Sequence, residues 1–324
     1  MKPTKNIAIL TSGGDASGMN ACIRAVVRTA QANHINVFGI YNGYEGLIDG
    51  NFELLESKHI EHIIHLGGTI LKTSRSERFL TIEGRADAFE QLKLRNINTV
   101  IVIGGDGSFK GAAKMHYETN INFIGIPGTI DNDIFGTDYT IGYDTAVNNA
   151  MQAIDKIRDT ANSHKRLFFV EVMGRDSGAI AIDTGIAVGA EDIFIPETIT
   201  HLDEVSLKIK NNPNKSSYII VVSEGDDAGH VKEISEHFKQ LHPIYDTKFV
   251  VLGHLLRGGN PTAIDRLIAS KMGISAVEHI IKNSLNIMIG WKQNEIDSIP
   301  LIQAVKVRKE ISRDLLQILK LLSY

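Results

Sequence analysis

Three runs in the first half of the chain set glycine beside carboxylate: Thr11-Ser12-Gly13-Gly14-Asp15-Ala16-Ser17-Gly18, Gly104-Gly105-Asp106-Gly107-Ser108 and Pro127-Gly128-Thr129-Ile130-Asp131-Asn132-Asp133. A backbone without Cβ turns tightly and brings its N–H groups against phosphate oxygens, and a following helix N-terminus adds a favourable partial charge. Phosphate is therefore the natural ligand, although any one Gly-Gly turn also serves simply to join a strand to a helix. Asp106 sharpens the reading, since a bare carboxylate in such a loop would repel phosphate unless a divalent cation lay between them. Mg²⁺ takes one or two carboxylates together with phosphate oxygens and water. The plain alternative for Asp106 is a helix N-cap. Asp131 and Asp133 stand two apart, so on an extended segment both carboxylates face one side. One could take the proton of an attacking hydroxyl while the other orients it or helps hold the metal. Asx-turn duty is the competing use of an Asp-Asn-Asp run.

These runs need elements to hold them. Short β-branched stretches at Ile7–Leu10, Val37–Ile40, Val100–Ile103, Phe123–Ile126, Phe168–Val172, Ile219–Val222 and Val250–Leu252 read as buried strands. Helical spacing fills Met19–Gln31, Arg85–Leu94, Phe109–Tyr117, Thr145–Arg158, Val231–Phe238 and Ala263–Ile281. That alternation predicts α/β architecture with mostly parallel, doubly wound sheets. All three glycine loops then follow strand C-terminal ends, which share one edge of an open parallel sheet. Spacing alone puts a domain cut near Gly142.

Composition narrows the class. With 34 Lys+Arg against 38 Asp+Glu in 324 residues, the formal net charge of -4 gives no polyanion-binding surface, so no nucleic-acid partner is expected. The single cysteine, Cys22, excludes an internal disulfide and reads as packing. The start of the chain shows neither a signal peptide nor an apolar span of membrane length, so a cytoplasmic protein without membrane association is expected.

No Gly-x4-Gly-Lys-Ser/Thr loop and no protein-kinase signature occurs. Gly105-x-Gly107 followed by Gly111 is one residue too long for a dinucleotide fingerprint, and Asp106 would oppose an uncompensated pyrophosphate. The three loops, with Val172-Met173-Gly174-Arg175, Leu252-Gly253-His254 and Arg257-Gly258-Gly259, resemble the bacterial ATP-dependent 6-phosphofructokinases over nearly the whole chain.

That resemblance implies transfer of the ATP γ-phosphoryl group to the 1-hydroxyl of fructose 6-phosphate, with Mg²⁺ as cofactor and ATP as co-substrate. It implies two doubly wound domains with the active site in the cleft between them: 1–142 plus 256–306 for ATP, 143–255 plus 307–324 for the sugar phosphate. Asp131 matches the general base, with Asp133 beside it. Gly14, Thr129 and Arg175 match groups around the transferring phosphoryl, and Asp106 matches the Mg²⁺ site. Tyr44, Arg75, Ser76, Gly105, Gly107 and Ser108 join the nucleotide contacts. Met173, Gly174 and Glu224 match sugar contacts, and Arg166, Lys248, His254 and Arg257 the sugar-phosphate cluster. In the family a neighbouring subunit completes that cluster, so a homotetramer is implied. Pyrophosphate-dependent relatives typically carry Asp and Lys where this chain has Gly107 and Gly128, which favours ATP as donor. A pyrophosphate-dependent enzyme and a non-catalytic effector-binding paralogue are the alternatives.

The chain also departs from the family pattern. Lys248 replaces the usual Arg, which alone grips phosphate in a planar fork, so weaker sugar-phosphate affinity is expected. Ser17 replaces a proline and offers an N-cap hydroxyl to the helix at Met19, with little effect expected. An effector site for ADP or phosphoenolpyruvate is implied by Arg24, Arg28, Arg158, Glu191 and Lys215. Ser57, Pro213 and Ser217 stand where charged or basic residues are usual, with Lys58 a partial substitute, and blunted control is expected. His59, His62 and His65 would share a face if their segment were helical, which suggests either a solvated helix face or a metal site. Val305–Tyr324 has the spacing of a packed amphipathic helix.

Overall fold

The computed structural model describes residues 5–164, 166–211, 215, 217–311, 315, 317, 318 and 321. In chain order the elements are β1 (Lys5–Ser12), α1 (Met19–Ala32), β2 (Ile35–Ile40), α2 (Gly43–Ile48), β3 (Phe52–Leu54), α3 (Ile82–Leu94), β4 (Ile97–Gly104), α4 (Asp106–Thr119), β5 (Asn122–Pro127) and α5 (Tyr143–His164). They continue as β6 (Leu167–Val172), α6 (Ala179–Val188), β7 (Asp192–Phe194), α7 (Leu202–Asn211), β8 (Tyr218–Ser223), α8 (Val231–Leu241), β9 (Thr247–Val251), α9 (Ala263–Ile281), β10 (Ile287–Lys292), β11 (Glu295–Pro300) and α10 (Leu301–Lys306). Two compact units result: one runs to Thr145 and resumes over Arg257–Lys309, the other takes Ala146–Leu256 and the described residues beyond Lys309.

The first unit holds a seven-stranded sheet in the order β11-β10-β5-β4-β1-β2-β3. Strands β10, β5, β4, β1 and β2 are parallel, and the two edge strands, β11 and β3, run antiparallel. Side chains alternate along the strands, so Ala8, Leu10, Val100 and Val102 enter one core with Leu47, Leu92, Phe109, Ala112 and Met115 from helices α2, α3 and α4. Helix α1 packs on α9 and buries Cys22, whose thiol is pushed up by that burial. From β1 the chain adds β2 on one side and later β4 on the other, so the strand order reverses between β1 and β4. In open α/β sheets ligands bind at such a reversal.

The second unit is a parallel four-stranded sheet, β7-β8-β6-β9. Its core joins Leu167, Phe169, Ile220 and Val222 from the strands to Val205, Ile209, Ile234 and Phe238 from helices α7 and α8.

The sequence pattern missed several elements, and one of its local expectations fails. The expected strand Val250–Leu252 is present as β9, which begins earlier, at Thr247, and ends at Val251. His59 sits in a 3₁₀ turn over Ser57–Ile60 and His62 adopts φ 57°, so the three histidines do not line a helix face. Among the described residues no group of three or more His, Cys, Asp or Glu side chains could hold a metal. Helix α10 ends at Lys306, and much of the amphipathic stretch expected to Tyr324 lies outside the described residues. No described helix is long and apolar enough to cross a membrane.

Candidate active site

The three glycine loops leave the sheet side by side. Ser12 of β1 is in register with Gly104 of β4, and Gly104 with Pro127 of β5, so the loops after residues 12, 104 and 127 start from one level of one edge. That edge includes the point of strand reversal.

In the first loop Gly14 lies under the guanidinium of Arg257: a Cβ there would stand 2.5 Å from Nη1. Nη1 donates to the carbonyl of Asp15 at 3.1 Å. Arg257, expected with the sugar-phosphate cluster, belongs to the first unit and rests on the first glycine loop. The loop does not end in the expected serine cap. The N-cap of α1 is Gly18, and Ser17 instead donates its hydroxyl to the carbonyl of Gly259 at 2.8 Å.

The second loop runs straight into α4. Gly105 is the N-cap and Asp106 the first helical residue, so Asp106 is not a cap, and its carboxylate pairs with Lys110 one turn on at 2.5 Å. A Cβ on Gly107 would meet nothing within 4 Å, which leaves the space over this turn open. Tyr44, expected among the nucleotide contacts, is covered: its ring stacks on Phe79 at 3.9 Å and its hydroxyl donates to the Ser108 carbonyl at 2.6 Å. These contacts tie it to the start of α4. Ser76 donates to Glu45, while Arg75 beside it is exposed.

The third loop departs from the extended run expected of it. Asn132 adopts φ 49°, in the left-handed region, so Asp131 and Asp133 are not alternating positions of one strand. Asparagine tolerates this conformation because its short amide can bond locally. Thr129 Oγ1 accepts the N–H of Asp131 at 3.2 Å, and the Thr129 carbonyl accepts the Thr140 hydroxyl at 2.6 Å. Asp131 is buried, at 4% exposure, while Asp133 is half-buried.

In the second unit Met173-Gly174-Arg175 follows β6. Glu224 Oε1 accepts the N–H groups of Gly174 at 3.2 Å and Arg175 at 2.8 Å, fixing a turn in which Arg175 adopts φ 52°. Arg166 and Lys248 converge on Asp246: Arg166 Nε lies 2.7 Å from Oδ2 and Lys248 Nζ 2.8 Å from Oδ1. Hydrogen bonds from Lys248 and Arg166, and then their charges, hold the Asp246 carboxyl down at about 2. His254 is exposed on the 3₁₀ turn Gly253–Arg257.

A family model described as Phosphofructokinase matches residues 6–280. The chain belongs to the phosphofructokinase family. It is 50% identical over the full length of both chains to ATP-dependent 6-phosphofructokinase 2 of Bacteroides thetaiotaomicron. A solved phosphofructokinase from Saccharomyces cerevisiae superposes with a TM-score of 0.89 at 36% identity over 94% of this chain, which spans 45% of the yeast chain's length. A pyrophosphate-dependent phosphofructokinase from Marinobacter aquaeolei shares the fold, with a TM-score of 0.84 at 22% identity over 98% of this chain and 91% of that one.

The residues expected at an effector site in this phosphofructokinase are placed as follows. Arg24 and Arg28 lie one turn apart on α1, half-buried and exposed. Arg158 caps the end of α6 through the Val188 carbonyl at 2.7 Å, and Glu191 pairs with Lys215 and accepts the Ile219 N–H. Ser57 donates to Gln31 at 3.0 Å, Ser217 to Asn162 at 2.6 Å, and Lys58 is paired with Glu56 at 2.8 Å. Pro213 lies outside the described residues.

Sequence reasoning missed the partners of the site residues: Lys110, Asp246, and Lys309, whose ammonium reaches Asn132 in the third loop at 3.0 Å. Lys110 stands four residues after Asp106 on a helix, a spacing that pairs opposite charges, and Asp246 stands two before Lys248, immediately ahead of β9. Lys309 gave no local signal.

Proposed function

We propose that this chain transfers the γ-phosphoryl group of ATP to the 1-hydroxyl of fructose 6-phosphate, giving fructose 1,6-bisphosphate and ADP. The observation that carries the reading is the common starting level of the three loops at Ser12, Gly104 and Pro127, in a chain half identical to an ATP-dependent 6-phosphofructokinase. Asp131 takes the proton of the 1-hydroxyl as its oxygen bonds to the γ-phosphorus and the bond to the β-phosphate bridging oxygen breaks. The backbone of Gly14, the Thr129 hydroxyl and Arg175 supply fixed donors to the charge spread over the equatorial oxygens. Asp133 belongs to the same loop and helps orient the acceptor.

Gly105, Gly107 and Ser108 take the nucleotide phosphates on backbone N–H groups at the start of α4, with Ser76 and Arg75 alongside. Tyr44 acts on that turn from below. Asp106 would hold Mg²⁺: an exposed carboxylate beside glycine backbone suits a hard ion that uses few carboxylates and several phosphate oxygens, and Lys110 would release its pair. When bound, the ion supplies neutralisation of the phosphate charge. Met173, Gly174 and Glu224 contact the sugar, and Arg166, Lys248, His254 and Arg257 hold its phosphate. We assign ADP or phosphoenolpyruvate to Arg24, Arg28, Arg158, Glu191 and Lys215, with control blunted by Ser57 and Ser217, in a homotetramer.

The test is product formation from fructose 6-phosphate and Mg²⁺ with ATP or pyrophosphate, on wild type and Asp131→Ser. Activity with ATP that falls by roughly 10²-fold or more in the variant supports the reading. Activity with pyrophosphate alone overturns the donor, and inactivity with both overturns the enzyme.

A further inference from the structure

The third loop is locked by a residue that lies far from it in the sequence. Asn132, 8% exposed, spans the segment that follows it: Nδ2 donates to the Asp138 carbonyl at 3.0 Å and Oδ1 accepts the Thr140 N–H at 3.1 Å. Lys309 Nζ reaches the same two acceptors, Asn132 Oδ1 at 3.0 Å and the Asp138 carbonyl at 3.0 Å. Ammonium, amide and carbonyl thereby close a ring. Its orientation is determined, because two donors converge on Oδ1 and an acceptor faces Nδ2, so the amide cannot turn over without losing every bond.

Both sides of the ring are anchored. The Asp138 N–H donates to the Trp291 carbonyl at 2.7 Å, and its carboxylate accepts the Gln293 N–H at 2.8 Å, which fixes that wall to the β10–β11 hairpin. Lys309 is delivered by an antiparallel bridge between Arg308 and Ile134, just past the loop. From the ring the constraint passes directly to Asp131, the preceding residue, whose N–H is held by Thr129; Thr129 in turn is tied to Thr140, which also donates to Asn132. A left-handed turn at Asn132 separates Asp131 from Asp133, so the amide that stabilises this turn sets the direction of the backbone through both acids.

We propose that Lys309 is a positioning residue for the Asp131 loop: its ammonium holds the Asn132 amide and the Asp138 carbonyl in one arrangement and so keeps Asp131 aligned for proton abstraction. This rests on the reading of Asp131 as the base. Charge-assisted hydrogen bonds are about twice as strong as neutral ones, so a lysine holds the ring better than water could. Misalignment of a reacting group by an ångström costs about 10²-fold in rate, which sets the scale of the effect.

The experiment compares Lys309→Met, Lys309→Gln and Lys309→Arg with wild type in steady-state kinetics, and by hydrogen exchange at the Thr140 amide in the ligand-free protein. In Lys309→Met we expect kcat about 10- to 100-fold lower with both KM values within about twofold, and Thr140 exchange about 10-fold faster. Lys309→Arg, which keeps charge and donors, restores kcat to within about threefold. Should the methionine variant fail to fold, the glutamine variant takes its place. Wild-type kcat and exchange in the neutral variants would overturn the proposal, as would a loss carried by KM or one that arginine does not rescue. If wild type makes no product, the functional reading fails separately, and Thr140 exchange alone decides whether Lys309 holds the loop.

Discussion

The guanidinium of Arg257 covers Gly14, and the two are so close that a methyl group on residue 14 would stand 2.5 Å from Nη1. The obstacle is the tip of a flexible side chain, so Gly14→Ala can fold by pushing Arg257 aside, at a cost of about 1 kcal/mol or less in stability. The catalytic cost is expected to be larger: kcat/KM about 10- to 100-fold lower, because the backbone donor we assign to Gly14 and the arginine above it are both displaced. Paired thermal unfolding and steady-state rates check this. A variant with wild-type kcat/KM would show that the contact is incidental.

Ser17 ties the first loop to the segment after Arg257 through its 2.8 Å bond to the Gly259 carbonyl, and it is 1% exposed. Removing a buried hydroxyl leaves that carbonyl short of a donor, so Ser17→Ala should lose about 1 kcal/mol in urea unfolding. Loosening the Arg257–Gly259 strap should also raise the KM for fructose 6-phosphate, with the KM for ATP changing less. An unaltered urea midpoint would mean that water replaces the hydroxyl without loss.

Asp246 holds Arg166 and Lys248 side by side, each through one charge-assisted bond. Since only guanidinium presents a planar fork to phosphate oxygens, Lys248→Arg should lower the KM for fructose 6-phosphate severalfold. The Asp246 carboxyl titrates at about 2 in the fold against about 4 when unfolded. The stabilisation it brings is therefore present above about pH 4 and is lost as pH falls through about 2. An acid titration of wild type against Asp246→Asn, followed by circular dichroism, should show that difference only at the acid end. A KM that rises in Lys248→Arg would count against a phosphate role for this pair.

The extent to which these features could be read from the sequence follows from how local their causes are. Strand Ile7–Leu10 and helix Ala263–Ile281 were plain because their periodicity is written within the segment. The convergence of the loops after Ser12, Gly104 and Pro127 was also readable, since parallel strands share an edge. The β10–β11 hairpin was not, because it turns on Gln293-Asn294 at φ 51° and 66° without the usual glycine. The Asp131–Asp133 run was misjudged for a related reason: residue types alone do not show that Asn132 turns left-handed, which depends on Thr140, Asp138 and Lys309. Ser17 looked like a cap because its partner is 242 positions away.

Asp265 offers a pH test on an internal acid. It is 1% exposed and accepts the N–H groups of Gly142 and Thr145 and the Thr145 hydroxyl, which joins the start of α5 to α9. Burial pushes its carboxyl up to about 6, against the lowering effect of those donors. Between about pH 4 and 6 the folded chain keeps a proton that the unfolded chain has lost, so the unfolding free energy contributed by this group falls as pH rises through that window. Urea midpoints at pH 4.5 and 6.5 should show the decline in wild type and lack it in Asp265→Asn. The same decline in both proteins would assign it to other groups.

The choice of phosphoryl donor can be tested at two glycines that the fold treats differently. A side chain at Gly107 meets open space, whereas a Cβ at Gly128 would lie 2.8 Å from Ile103 Cγ2 and 3.1 Å from Met19 Cε. Gly107→Asp should therefore leave stability within about 0.5 kcal/mol of wild type while placing a carboxylate in the space we assign to the nucleotide phosphates. Its kcat/KM for ATP should fall at least about 10-fold, and any activity with pyrophosphate should fall less. Gly128→Ala, by contrast, should cost about 1–3 kcal/mol in stability, because Ile103 is packed inside the sheet and cannot swing clear. If Gly107→Asp lowered ATP and pyrophosphate use equally, the open space would serve both donors, and the preference for ATP would have to come from elsewhere on the edge.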